Sequence, residues 1–268
     1  MPAPLHPAPL WLVGCGNLGR ALLDGWLAAG VDPAHVTVVN PTLRDLPPGI
    51  TQARMPGSDL PRPATIVLAV KPKRLGEVAA QLGPHARDAL LVSVLAGVRL
   101  PRLAAAFPHA RVARALPNTP ARIQQGITLL AGDLIAADRA TVEALGRALG
   151  HVHWVDEAQF DAATAIASSS PAWTFRFVDA LAAAGARAGL APDLAATLAL
   201  EAVAGAGTYA AAAGRPMNDL AREVASPGGM TQAGLDMLEE GGALDALLLT
   251  AVDAAVARAA TLAREADA

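Results

Sequence analysis

A short apolar run, Leu10-Trp11-Leu12-Val13, passes without interruption into Gly14-Cys15-Gly16-Asn17-Leu18-Gly19 and then into Arg20-Ala21-Leu22-Leu23-Asp24-Gly25-Trp26-Leu27, which carries a helical apolar period. A second branched run follows at Val36-Thr37-Val38-Val39. Few folds accept that order: strand, glycine loop, helix and strand form a βαβ unit whose first turn suits a dinucleotide. Gly14 permits the tight turn, Gly16 lets a pyrophosphate approach the backbone at the helix N-terminus, and Gly19 lets helix and strand pack.

The rhythm continues. Thr65–Val70, Leu90–Val94, Arg111–Ala113 and Ile127–Leu130 read as buried strands separated by amphipathic helices, which implies a parallel sheet covered on both faces. After Asp156 the strand signal stops, and from Phe160 nearly everything scans as helix. Breaks are expected at Ser168-Ser169-Ser170-Pro171, at Pro192, around Gly214-Arg215-Pro216 and at Ser226-Pro227-Gly228-Gly229. The predicted architecture is therefore α/β, with a dinucleotide-binding domain over 1–155 and an all-helical domain over 156–268.

With 53% hydrophobic and 17% charged residues the chain can bury a core, and a net charge of −3 with scattered lysines and arginines excludes nucleic acid or an anionic membrane as partner. Leu194–Ala213 and Ala243–Ala263 are apolar, but Glu201, Asp245, Asp253 and Arg258 interrupt them and alanine dominates. Closely packed helices of a core or subunit interface fit better than membrane spans, so an oligomer is expected. The single cysteine, Cys15, reads as packing, and the Met1–Pro9 start lacks the parts of a secretion signal, so the expected location is cytoplasmic.

The end of the second strand indicates the cofactor. Asn40 stands where an acid would bind a ribose 2′-hydroxyl, with Thr42 and Arg44 after it, which favours NADP over NAD. Ala69-Val70-Lys71-Pro72, Ser93-Val94-Leu95-Ala96-Gly97 and Arg114–Ala121 each end a strand with a helix breaker, the edge at which open α/β sheets bind ligands. In the helical half, Ser226-Pro227-Gly228-Gly229-Met230-Thr231 breaks and restarts a helix. Free N–H groups at the new start, beside the hydroxyls of Ser226 and Thr231, would cradle a small carboxylate. His151 and His153 share a strand face without a third ligand, so no metal is expected. Asp156, Glu157 and Asp161 read as charges at a helix N-terminus.

These residues, in order and spacing, resemble the pyrroline-5-carboxylate reductase family from Gly14 to about Ala255: the glycine loop, Ala69-Val70-Lys71-Pro72, Pro117-Asn118-Thr119-Pro120, Asp161-Ala162-Ala163-Thr164-Ala165 before a serine-proline turn, and Ser226-Pro227-Gly228-Gly229 with Thr231. The resemblance implies a Rossmann domain joined to an all-helical dimerisation domain, active sites formed between subunits, and homodimers that commonly gather into larger assemblies. It implies reduction of a small imino acid, 1-pyrroline-5-carboxylate, to L-proline, the last step of proline biosynthesis, with NADPH as hydride donor and NADH as the alternative. By the same resemblance Gly14, Gly16, Asn17 and Leu18 hold the pyrophosphate, Asn40 lies at the 2′-phosphate, and Val70, Lys71, Pro72, Ala96 and Gly97 lie near the nicotinamide and its ribose. Lys71 is read as holding its loop or contacting cofactor through its backbone. Ser226, Gly228 and Gly229 would bind the substrate carboxylate, and Thr231 would face the ring nitrogen as an orienter or proton relay.

Two departures bear on the pocket. Ser168 and Ser170 fill positions where the family commonly has glycine, which would strain the turn if those glycines have positive φ, and Trp173 replaces the usual tyrosine. They motivate a second reading, a reductase of another cyclic imine. A catalytically silent NADP-binding protein is a third. A β-hydroxyacid dehydrogenase would need a lysine in the second domain, and no lysine follows Lys73.

Overall fold

The structure, a computed structural model, describes residues 9–267. The Met1–Ala8 segment, on which the expectation of no secretion signal largely rested, lies outside them.

Eight strands form one sheet: β1 (Leu10–Val13), β2 (Val36–Val39), β3 (Thr51–Ala53), β4 (Thr65–Leu68), β5 (Leu90–Ser93), β6 (Arg111–Pro117), β7 (Gly126–Ala131) and β8 (Gly150–Trp154), in the order β3-β2-β1-β4-β5-β6-β7-β8. β1, β2, β4 and β5 are buried along their whole length because helices cover both faces. Alternate residues of β1 serve opposite layers. Leu10 and Leu12 pack with Leu22, Leu23 and Trp26 of α1 (Asn17–Ala28). Trp11 and Val13 pack with Leu75, Val78 and Leu82 of α2 (Leu75–Ala86). Further along lie α3 (Leu100–Ala106), α4 (Ala136–Arg147) and α5 (Phe160–Thr164).

The sheet is not wholly parallel, as the continuous apolar runs had suggested. β6 and β7 pair antiparallel, Ala115 opposite Leu130 and Leu116 opposite Leu129. Residues 118–125 between them are too few for a parallel crossover, which takes a dozen or more. β3 escapes sequence reading because it is a short, exposed, polar edge.

The chain divides into two compact units, one running to Ser169 and resuming at Ala255, the other Ser170–Ala254. This partition differs from the division at 155/156. α5 and the turn after it go with the sheet because Phe160 is buried there, under the Arg114 guanidinium, and the Asn118 side-chain amide donates to the Ala167 carbonyl at 2.8 Å.

At Ser168-Ser169-Ser170-Pro171 the expected break is absent. The helix widens into a π-helical turn, Ala165–Ser169, and continues as α6 (Ser170–Arg187). Ser168, Ser169 and Ser170 all have negative φ, so serine in place of glycine carries no backbone strain here.

The second unit holds α6, α7 (Pro192–Ala213), α8 (Met217–Val224), α9 (Met230–Glu239) and the first part of α10 (Ala243–Asp267). α7 starts on Pro192 and ends at Gly214 in the left-handed region, the two stops read from sequence. The buried side chains of this unit are Ala195, Ala199 and Leu220, while Phe175, Phe177, Leu198, Tyr209, Leu247 and Leu249 are exposed.

Candidate active site

Because β1, β2 and β4 end in register, with Val13 beside Val39 and Leu68, the loops that follow them meet at one edge. Gly14 N–H donates to the Val39 carbonyl at 2.9 Å, Ala69 N–H to Val13 at 2.8 Å, and Val94 N–H to Leu68 at 3.0 Å. Gly14 has φ +95°, and a Cβ there would stand 2.6 Å from the Ala69 carbonyl oxygen; a Cβ on Gly19 would fall on the Gly14 carbonyl oxygen. Gly16 differs. A Cβ there would meet nothing within 4 Å, so its missing side chain leaves space that the fold itself does not fill.

That space lies at the N-terminus of α1, which has no side-chain cap and no acidic residue in its first turn. The unpaired N–H groups and the dipole favour an anion there. A cavity of about 260 Å³ lined by Cys15, Gly16, Asn17, Arg20, Arg44 and Asp45 adjoins it. These residues fit the pyrophosphate and the phosphorylated ribose of a nicotinamide dinucleotide.

Asn40 has a part the sequence did not reveal. Its Oδ1 accepts from Cys15 N–H at 3.0 Å and its Nδ2 donates to the Thr42 carbonyl, so the amide ties the glycine loop to the loop after β2. Arg20, unremarked in the sequence, donates through Nε to both Asp24 oxygens and through Nη1 to the Asp45 carbonyl at 2.8 Å, closing the other end of that loop. Only the i, i+4 pairing with Asp24 is legible from spacing. Cys15 is buried, and burial pushes its thiol pKa up, which keeps it protonated and unreactive.

Lys71 is exposed and precedes a short 3-10 turn, Pro72–Arg74, with its carbonyl accepting from Arg74 N–H at 2.9 Å. Val70 packs beside Gly14, and Ala96 is exposed at the end of β5. At Gly97 the absent side chain makes room for the backbone of Leu262, 3.2 Å from where a Cβ would lie. A second cavity, about 240 Å³, is walled by Asn17, Leu18, Pro117, Asn118, Thr119 and Ser168 among others. Asn118 is a strut: besides Ala167 it accepts from Ile127 N–H at 2.8 Å. Behind it Arg114, 5% exposed, pairs with Glu157 at 2.8 Å. Burial lowers the Arg114 pKa and the Glu157 charge opposes that shift. Glu157 also accepts from Leu100 N–H at 3.0 Å, so it serves α3, and Asp161 pairs with Arg99. Glu157 and Asp161 thus stand in first helical turns, as read from sequence, and are long-range partners as well.

In the second unit Ser226-Pro227-Gly228-Gly229 forms a turn closed by Gly229 N–H to the Ser226 carbonyl at 2.9 Å, with Pro227 at its second position and Gly228 at φ +72°. Gly229 N–H is thereby committed within the chain. The N–H groups of the first α9 residues, Met230 and Thr231, have no intrahelical partner, α9 has no side-chain cap, and Ser226 and Thr231 are exposed.

A Rossmann sheet with an uncapped glycine-loop helix, joined to an alanine-rich helical half, defines a dinucleotide-dependent oxidoreductase. Residues 157–262 match the family model described as pyrroline-5-carboxylate reductase dimerisation, and residues 10–97 match one described as NADP oxidoreductase coenzyme F420-dependent. The chain is 34% identical over 261 residues to the pyrroline-5-carboxylate reductase of Pisum sativum, covering 94% of this chain and 95% of that one. It is 33% identical to the Escherichia coli (strain K12) enzyme over 86% of this chain and 89% of that one. Among solved structures, a pyrroline-5-carboxylate reductase from Coxiella burnetii superposes with a TM-score of 0.88 at 30% identity over 95% of this chain and 98% of that one. The Plasmodium falciparum enzyme, solved with NADP bound, gives 0.84 at 25% identity over 96% and 99%. The chain belongs to the pyrroline-5-carboxylate reductase family.

Proposed function

We propose that this chain reduces 1-pyrroline-5-carboxylate to L-proline with NADPH, NADH serving as the poorer donor, as the last step of proline biosynthesis. The observation that carries the reading is the Gly16 space at the uncapped N-terminus of α1, in a chain that matches the family nearly end to end. The cofactor supplies a hydride; the protein supplies alignment and a dry cleft.

Functionally, residues 1–155 carry the nucleotide and 156–268 carry the substrate and the dimer contacts. Gly14, Gly16, Asn17 and Leu18 hold the pyrophosphate through backbone N–H groups. Asn40 shapes the 2′-phosphate region by fixing the glycine loop, with the Arg44 side chain nearby as the positive charge. Val70, Lys71, Pro72, Ala96 and Gly97 frame the nicotinamide end. Ser226 and the backbone at Gly228 and Gly229 hold the carboxylate, the N–H groups of Met230 and Thr231 adding donors where Gly229 is already engaged. Thr231 orients the ring nitrogen or relays a proton to it from water, since a threonine hydroxyl is too weak an acid to be the proton's source.

The chain acts as a homodimer on a small-molecule substrate, and larger assemblies of dimers form from it. The helical stretches Pro192–Ala213, which is α7, and Met230–Ala266, which runs through α9 and α10, are long and apolar enough to cross a membrane but are mostly unburied in the single chain. We assign their apolar faces to subunit packing and the protein to the cytoplasm. The reason to expect a different ring size weakens, because Ser168 and Ser170 sit without strain. The test is NADPH oxidation by the purified protein with pyrroline-5-carboxylate, run beside six-membered piperideine carboxylates and beside NADH. Selective turnover of the five-membered imine is expected, and silence on it overturns the assignment.

A further inference from the structure

The Oγ of Ser168 is shielded from water and has no hydrogen-bond partner. A hydroxyl left in that state is destabilising, so a native chain that keeps one calls for a reason. Local rescue is missing even though the residue sits in a helical segment, where Thr164, one turn earlier, bonds back to the Phe160 carbonyl at 2.7 Å. The π-helical turn over Ala165–Ser169 prevents the equivalent bond by widening the backbone. That turn is held in place, since the Asn118 amide clamps the Ala167 carbonyl on one side and the Ile127 N–H on the other. Ser168 is also a wall residue of the 240 Å³ cavity that opens beside Asn17 and Leu18 at the α1 N-terminus and reaches Pro117, Asn118 and Thr119 at the end of β6. The cavity thus begins where the pyrophosphate docks and runs along the strand ends on the side away from β2, where the adenosine end belongs.

We propose that Ser168 is a positioning residue for the nicotinamide ring: on cofactor binding its hydroxyl turns by one χ1 well into this cavity and hydrogen-bonds the ring's carboxamide, fixing which face of the ring meets the imine. This rests on the reading of the chain as an NADPH-dependent reductase. The carboxamide offers a carbonyl and an NH₂ group, and a hydroxyl whose proton rotates pairs with either. Asn118, the polar side chain that holds the turn carrying Ser168, has both ends of its amide engaged within the chain.

The test compares the wild-type protein with Ser168→Ala by calorimetric titration of two probes, NADPH and 2′-phospho-ADP-ribose, the latter lacking only the nicotinamide. A neutral hydrogen bond predicts NADPH binding weakened about 3–10-fold and binding of the ring-less probe unchanged. The cofactor-free variant should unfold at the same denaturant concentration as wild type or a higher one, because an unpaired buried hydroxyl has been removed. Equal weakening toward both probes, no weakening toward either, or lower stability of the cofactor-free variant would each overturn the proposal. A variant that binds NADPH normally but shows a raised KM for the imino acid would also overturn it and move the hydroxyl to the substrate. Failure of wild type itself to bind NADPH would instead refute the functional reading on which the proposal stands.

Discussion

Replacing Gly16 and Gly19 by alanine, one at a time, separates the two duties of the glycine loop. At Gly16 the backbone is extended, φ −78° and ψ −161°, and a methyl group would point into open space. The cofactor-free protein should therefore lose no stability, and removing glycine's freedom from the unfolded chain adds about 0.4–1 kcal/mol. With cofactor the same methyl occupies the space a phosphate needs. Losing two charge-assisted N–H to phosphate bonds at about 1.5–3 kcal/mol each gives about 3–6 kcal/mol, or roughly 10²–10⁴-fold in Kd. At Gly19 the added Cβ would collide with the Gly14 carbonyl, a backbone atom that cannot swing away. Overpacking of that kind costs about 1–3 kcal/mol before any ligand is present. NADPH titration by fluorescence and urea unfolding without cofactor give the two readouts for each variant. Gly16→Ala should be stable and blind to NADPH, and Gly19→Ala should be weakened in both. A Gly16→Ala protein that binds NADPH within threefold of wild type would refute the placement of the pyrophosphate.

Thr231→Val should lower kcat about 10-fold or more while leaving the Kd for NADPH within twofold, and unchanged turnover would remove Thr231 from the chemistry. Gly228→Ala meets no neighbour but forces a side chain into φ +72°, so it should strain the turn by about 1–2 kcal/mol and raise the KM for the imino acid rather than for NADPH; steady-state kinetics with each substrate varied checks the split. Glu157→Ala strands the buried Arg114 charge and should cost about 2–3 kcal/mol in urea unfolding, towards the low side because the Glu157 side chain is itself 27% exposed. The double substitution Arg114→Met, Glu157→Leu should recover most of that loss.

What the sequence made legible was local. β1, β2 and the Gly14–Gly19 loop lie where the apolar runs and glycine spacing put them, because a buried parallel strand needs an uninterrupted branched stretch. The turn at Ser226–Gly229 was legible for the same kind of reason, since proline followed by two glycines has few other uses inside a helical half. Partnerships across long sequence gaps were not. Nothing in the spacing says that Asn40 reaches Cys15, that Glu157 reaches Leu100, or that Leu262 fills the space beside Gly97. The serine run misled because three serines before a proline look like a turn. Whether they break a helix or widen it depends on Asn118, about fifty residues earlier in the chain, holding the Ala167 carbonyl.

Helices α6 to α9 leave the ribosome with almost no interior of their own: three buried side chains, Ala195, Ala199 and Leu220, against exposed Phe175, Phe177, Leu198 and Tyr209. Each such side chain, once covered, contributes about 1.5–3 kcal/mol, and in a homodimer that contribution arrives only when a second chain does. Maturation of this half is then second order in concentration. A cell making few copies would keep a large share as half-finished chains open to proteolysis, and doubling synthesis would more than double the working enzyme.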